Sequence, residues 1–326
     1  SSRRRHTRCQ IQSRGLGDVY KRQGDEGLLT MLTKTLDAMA RGGIYDQLGG
    51  GFHRYATDAV WLVPHFEKML YDNAQLARLY LHAWQVTGDE SYRRIATETL
   101  DYLLREMRRD YGAIPPAQDA DSPPGEWAYY VRTPADQARV LSPDEAAAAA
   151  LRFGVSDQGN FEGGASILHL ALPLDEVSRR VGEEAGPLLA SARRKLLEER
   201  ATRAAPARDD KAITSWNAMA VAAFADAGLF FDRADYLDVA RHTAAFLLDN
   251  LIVDGRLHRV HDRQRARHLG RDGSRDRELP QSSRARRFRD LRRLRRALGL
   301  GELRGLHGPR ATRQALRGSV GRRPGV

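Results

Sequence analysis

An internal repeat constrains this chain more than any other feature. An offset of 144 residues brings Asn73-Ala74 onto Asn217-Ala218, Tyr92 onto Tyr236, Ala96 onto Ala240, Thr99 onto Thr243, Leu103-Leu104 onto Leu247-Leu248 and Asp110 onto Asp254, with Tyr102 answering Phe246. A second echo, at offset 64, pairs the run 33–37 (TKTLD) with 97–101 (TETLD). Repeats of this kind specify one supersecondary unit used more than once. Each unit reads as helix, turn, helix: Leu76, Leu79, Tyr80, Ala83 and Val86 keep one helical stripe, Thr87-Gly88-Asp89 breaks the chain, and Ile95, Thr99, Tyr102, Leu103 and Met107 resume the period. In the second copy Met219, Ala222, Ala223 and Ala227 make a small-residue face, and Tyr236, Val239, Thr243, Phe246 and Leu247 follow. The expected class is all-α, with helical hairpins at irregular spacing joined by long polar loops, a pattern that suits an α/α toroid better than a thin solenoid.

Charge divides the chain into three parts. Residues 1–23 carry a net +6 and residues 256–326 a net +16, whereas 24–255 carry −11, so the overall +11 describes no folded unit. The first 23 residues lack any helical or strand period and resemble a translated sequencing-adapter leader; they are set aside as non-native. Residues 270–326 are rich in Arg and devoid of Lys, poor material for a core, and read as an out-of-frame or disordered tail. An alternative is a basic amphipathic helix at 288–300 (FRDLRRLRRALGL) that meets nucleic acid or a membrane surface. The body is then 24–269. The chain's lone cysteine, Cys9, lies outside that body, which excludes a disulfide framework or a C-x-x-C pair and favours the cytoplasm. No apolar run reaches membrane-spanning length, and no membrane or nucleic-acid partner is expected of the body.

The loops hold the residues with chemical potential. Gly42-Gly43 and Gly49-Gly50-Gly51 frame a glycine-hinged excursion that leads to 52–66, FHRYATDAVWLVPHF. The densest constellation runs from Pro64 to Asn73 (PHFEKMLYDN). Read as the start of a helix with Pro64 in its first turn, it puts His65, Lys68 and Asp72 on one face and Glu67 and Tyr71 on the next. An imidazole among carboxylates is a general acid/base pair; an ordinary capped helix start with a salt bridge reads equally well. The second copy opens with Asp210, Lys211, Trp216 and Asn217, the last in the place of Asn73; two N-caps are the plain reading, which covers Thr214 and Ser215 well and Asp210, Lys211 and Trp216 less well. A third loop, 111–131, is expected to form a short hairpin. Its Asp119-x-Asp121-Ser122 alternates oxygen ligands but lacks the glycine and distal glutamate of a calcium loop, so no metal is expected there. Nor is a cofactor: Gly49–Gly51 is not followed by the Gly-Lys-Ser/Thr of a phosphate loop.

The blocks 42–73, 117–122 (AQDADS), 159–163 (GNFEG) with 167–170 (ILHL), and 209–217 (DDKAITSWN) resemble, in order, those of the thioredoxin-domain-containing proteins related to spermatogenesis-associated protein 20. That resemblance implies part of an (α/α)6 toroid similar to the N-acylglucosamine 2-epimerase and six-hairpin glycosidase folds, and links to carbohydrate chemistry. It also implies a preceding thioredoxin-like domain, absent from this chain, and further hairpins where the arginine tail stands, so the expected ring is incomplete. Ala56, Val60, Pro115-Pro116 and Ala218 depart from the family pattern. The expected roles are catalytic for His65, Glu67, Asp72 and Asp210, with His65 as acid/base. His53, Asn73, Asp119, Asp121, Lys211 and Asn217 are expected to bind a sugar-like small molecule on which Trp61, Tyr71 and Trp216 stack. The alternative is a non-catalytic binding or scaffolding toroid attached to a redox domain.

Overall fold

The computed structural model describes residues 26–123, 125–253 and 256–261; the leader and the arginine tail, with both readings of it, lie outside the described residues. The helices of the repeated hairpins and the one before them are α1 (Glu26–Arg41), α2 (Leu70–Thr87), α3 (Glu90–Tyr102, continued by a π turn over Leu103–Met107), α8 (Thr214–Phe230) and α9 (Ala234–Leu251). The two hairpins, α2–α3 and α8–α9, pack on each other through α2 and α8 and share one core with α1.

Each hairpin turns where the sequence breaks. Gly88 closes α2 in the left-handed region (φ 73°) with its N–H on the Trp84 carbonyl, and Asp89 caps α3 by accepting from the Ser91 N–H at 2.8 Å. Asp232, 144 residues on, takes the same left-handed conformation (φ 55°), which Asp tolerates better than most residues. The predicted stripes face the core, apart from Val86 and Met219, which are exposed.

Both repeat offsets have a structural cause. The Tyr92 hydroxyl donates to Asp37 Oδ1 (2.8 Å), and its counterpart Tyr236 donates to Asp101 Oδ1 (2.7 Å). Each hairpin is thus pinned to the TxTLD helix before it, and the 64-residue echo is the record of that second contact. The all-α expectation holds for the described residues.

Four helices fold between the hairpins, where the sequence reading allowed long loops: α4 (Pro134–Ala138), α5 (Pro143–Phe153), α6 (Leu174–Val181) and α7 (Ala185–Arg200). Thr133 with Asp136 and Ser142 with Glu145 form reciprocal capping boxes, each followed by proline at the start of the helix. α5 and α7 pack on each other around a separate core that includes Phe153, Val177, Leu189 and Leu196.

The strands are two residues long. β1 (Tyr55–Ala56) pairs with β2 (Pro64–His65), β3 (Lys68–Met69) with β4 (Ala117–Gln118), β5 (Ala212–Ile213) with β8 (Val260–His261), and β6 (Ile252–Val253) with β7 (Arg256–Leu257), all antiparallel. The 111–131 loop therefore gives its strand to β3, and within itself it is joined by a tight antiparallel bridge between Ser122 and Gly125. β3 and β5 stand at the same place ahead of α2 and α8. The first N–H of each helix is satisfied from the paired loop, Leu70 N–H to the Pro116 carbonyl (2.8 Å) and Thr214 N–H to the Arg259 carbonyl (2.9 Å).

Candidate functional site

The segment before α2 is extended, which corrects the helical reading of residues 64–69. Pro64 sits in β2 opposite Ala56, and the Arg54 N–H reaches the Glu67 carbonyl at 2.8 Å. Backbone groups that a helix would have used internally are committed to neighbouring chain. Strand alternation then decides which side chains meet. Phe66 and Lys68 turn inward and are buried, while His65 and Glu67 turn outward and are half-buried. His65, Lys68 and Asp72 do not share a face.

The inward side is a buried ion network. Lys68 Nζ donates to Asp46 Oδ2 (2.8 Å) and the Gly50 carbonyl (3.0 Å) and lies 4.2 Å from the centre of the Tyr102 ring. Arg200 donates to Asp46 Oδ1 at 2.8 Å. Burial opposes the Asp46 charge, but Arg200 and Lys68 outweigh it and hold this carboxyl well below the usual range. Burial pushes the Lys68 ammonium down.

The outward side gathers several of the expected residues. His65 Nδ1 lies 2.7 Å from Glu126 Oε1, its Nε2 lies 3.7 Å from Glu67 Oε2, and its ring stacks on Tyr55 (4.9 Å, 20°). Glu67 also accepts from Arg54 at 2.7 Å. The Tyr71 ring meets Trp216 at 4.8 Å, joining the first turns of α2 and α8, and burial, then the charge of buried Asp72, pushes the Tyr71 hydroxyl's pKa up. The Glu67 carboxylate raises the His65 pKa most, partial burial opposes it, and Glu126 adds to the rise. In return His65, then Arg54, lowers Glu67 against the effect of burial. An imidazolium held between two carboxylates can donate a proton to a bound group and take one back from that group or from water, while the carboxylates stay ionised and stabilise its charge.

The second copy repeats this pattern with different chemistry. Asp209 and Lys211 occupy the places of His65 and Glu67 ahead of α8, and Lys211 Nζ donates to Asp209 at 3.0 Å. Asp210 is exposed and paired with Arg109 at 2.5 Å. Asp119 and Asp121 are exposed just beyond β4, where the Asp119 N–H donates to the Ala207 carbonyl at 2.7 Å. Among the described residues no group of three His, Cys, Asp or Glu is placed to hold a metal ion, and no helix is long and apolar enough to cross a membrane.

Four residues expected to bind substrate are instead built into the scaffold. Asn73 accepts from the Phe52 N–H (2.7 Å) and donates to the Phe52 and Met69 carbonyls (3.0 and 2.9 Å). Asn217 does the same with the Ile114 N–H (2.8 Å) and the Ile114 and Ile213 carbonyls (2.9 and 3.1 Å). Each asparagine clamps an extended residue from a preceding loop, and neither is an N-cap. His53 is buried, bonded to the Phe66 carbonyl at 2.9 Å, and burial pushes its pKa down to about 3. Trp61 is buried, with its carbonyl taken by the Ile44 N–H at 3.0 Å and its backbone left-handed (φ 65°). Sequence reasoning did not single out Arg54, Tyr55 or Glu126. Arg54 and Tyr55 lie in a block already marked for its composition, but Glu126 is 61 residues from His65 and carries no local signal.

No protein-family profile matches the chain. Spermatogenesis-associated protein 20 of Homo sapiens is 36% identical over 260 residues, covering 71% of this chain and 33% of that protein. The Mus musculus protein is 35% identical with the same coverage. An uncharacterized protein of Caenorhabditis elegans is 30% identical over 258 residues, covering 71% of this chain and 35% of that one. The chain spans about a third of the length of these relatives. Among solved structures, a D-mannose isomerase is 11% identical with a TM-score of 0.33, covering 79% of this chain and 63% of its own. A cellobiose 2-epimerase from Spirochaeta thermophila is 19% identical with a TM-score of 0.30, covering 76% of each. At those scores neither fold detail nor chemistry is carried over. The sequence relationship, with its blocks in order along the body, makes this chain homologous to spermatogenesis-associated protein 20.

Proposed function

We propose that this body is part of a carbohydrate-active α/α toroid, epimerase-like or glycosidase-like, in which His65 transfers protons under the control of Glu67 and Glu126. The observation that carries the reading is the half-buried imidazole between two carboxylates, beside the Tyr71–Trp216 pair. Aromatic faces of that kind stack on the apolar face of a sugar ring, and Asp119 and Asp121 offer acceptors for hydroxyls. Asp72 acts through Tyr71, and Asp210, exposed and paired with Arg109, takes a binding role at most. As part of the same proposal, the parent protein carries a thioredoxin-like domain ahead of this body and works in the cytoplasm.

The test is a panel of reducing sugars and glycosides against the chain and its His65→Asn variant, read by melting temperature and by turnover. One sugar is expected to raise the melting temperature of both and to be turned over only by the unsubstituted chain. No thermal shift from any member of the panel would sink the reading.

A second reading, a non-catalytic binding or scaffolding module, is favoured by the tasks found for Asn73, Asn217, His53, Trp61 and Lys68: much of the motif blocks is explained by loop architecture alone. It expects His65→Asn to leave ligand binding and turnover by the intact protein unchanged.

A further inference from the structure

A second site lies away from the His65 cluster, where two helices end together. α1 finishes at Arg41 and α5 carries Arg152 in its last turn. The loop after His169 ties the two ends to each other: the Leu170 N–H donates to the Arg41 carbonyl (2.8 Å), the Ala171 N–H to the Arg152 carbonyl (3.0 Å) and the His169 N–H to the Phe153 carbonyl (3.3 Å). Either arginine alone is ordinary, since a cation at a helix C-terminus offsets the dipole. Together they are not offset.

Arg152 is half-buried and donates to the Leu172 carbonyl. Burial comes first in lowering its pKa, followed by the charges of Arg94 and Arg41, with no carboxylate acting the other way. Arg94 and Arg193 both turn to a single acid, Glu98, at 3.2 and 2.6 Å. Four guanidinium groups therefore border this region, and among the described residues the carboxylate that ion-pairs with any of them is Glu98. They border open space as well. A cleft of about 260 Å³ is lined by Arg94, Arg152 and Arg193 with Phe153, Leu174 and Leu189. A second, of about 250 Å³, is lined by Arg41 and Arg152 and shares Leu170 and Leu174 with the first.

We propose that these two adjoining clefts together bind a phosphorylated small molecule, with its phosphate against Arg152, which lines both, flanked by Arg94 of the first and Arg41 of the second, and its organic part in the first against Phe153, Leu174 and Leu189. A dianion offsets the excess charge better than a monocarboxylate, and guanidinium forks match phosphate oxygens in geometry. The apolar wall and the volume beyond the arginines distinguish the site from one made for inorganic phosphate alone. The inference does not rest on the carbohydrate reading.

Titration calorimetry of the full chain at low ionic strength tests it, with phenyl phosphate, inorganic phosphate and benzoate as probes. One saturable site is expected, tightest for phenyl phosphate and weakest for benzoate. Arg152→Met and Arg41→Gln should each weaken phenyl phosphate by about tenfold or more, the usual weight of a charge-assisted hydrogen bond. Arg41 is exposed, so its variant keeps the test open should Arg152→Met misfold. Unchanged affinity in Arg41→Gln, or in a folded Arg152→Met, would place the anion elsewhere, including the arginine-rich residues after 255, and overturn the proposal. So would the absence of saturable binding. Equal affinity for phenyl and inorganic phosphate would overturn the apolar half of it.

Discussion

Replacing Asn73 by Ala removes three hydrogen bonds at once and strands the groups that made them. The Phe52 N–H and the Phe52 carbonyl both lose their partner, at 2.7 and 3.0 Å, in a place where Phe52 is fully buried. The third bond, to the Met69 carbonyl four residues back, is the least costly, because that group lies at the start of a helix. Each stranded buried group costs about 1–3 kcal/mol, so the substitution should cost roughly 3–5 kcal/mol. Asn217→Ala should cost about the same, since its bonds to Ile114 and Ile213 reproduce the geometry within 0.2 Å. For a domain of this size that is a fall in melting temperature on the order of 10 °C for either variant. Circular dichroism melts of the chain and both variants, with urea titrations for the free energies, make the comparison. His65→Asn, at a half-exposed position, is the control and should shift the midpoint little. Loss of ligand binding by Asn73→Ala with an unmoved melting temperature would refute the clamp and return Asn73 to the substrate.

Other consequences follow from the same geometry. Asp46→Ala leaves Lys68 and Arg200 buried together without their shared carboxylate and should destabilise by about 3–5 kcal/mol, whereas Lys68→Met, which keeps the Arg200–Asp46 pair, should cost clearly less in the same urea titrations. His65, raised by its carboxylates, adds stability that is full below its ordinary pKa of about 6.5 and is lost as pH rises through the folded value. Glu67, lowered, adds stability present above its ordinary value and lost as pH falls through the folded one. NMR titration of the imidazole should therefore show a raised pKa that falls in Glu126→Gln and Glu67→Gln; an unmoved value in both would mean the carboxylates do not tune it. Gly51→Ala should destabilise by about 1–3 kcal/mol, because the residue is left-handed (φ 79°) and an added Cβ would meet Tyr102 at 2.5 Å; a variant that melts normally would mean this loop does not bear on α3.

Much of the fold was legible because helices announce themselves locally. The period of Leu76, Leu79, Tyr80 and Ala83, the break at Gly88, and the two offsets needed no knowledge of distant chain. The offsets even held the plan of the contacts, since Tyr92 with Asp37 and Tyr236 with Asp101 are one interaction used twice. The stretch 64–69 misled for a related reason. Pro-His-Phe-Glu-Lys-Met fits a helical start as well as a strand, and the choice depended on β1 and β4, which arrive from elsewhere to take up its backbone groups.

The candidate site was legible as a list of residue types and illegible as an arrangement. His65, Glu67, Tyr71 and Trp216 stood out by chemistry, yet nothing local separated them from Asn73, Asn217, His53 and Trp61, whose polar groups face the interior. Burial is set by packing, and packing by contacts remote in sequence: Glu126 reaches His65 across 61 residues and Arg200 reaches Asp46 across 154. From its sequence alone this chain determined its helical hairpins, their repetition and their turns, because those depend on neighbours three or four residues away. Which polar side chains hold loops together and which meet solvent was decided only when those loops closed on each other, because a hydrogen-bond partner's position is a property of the folded chain.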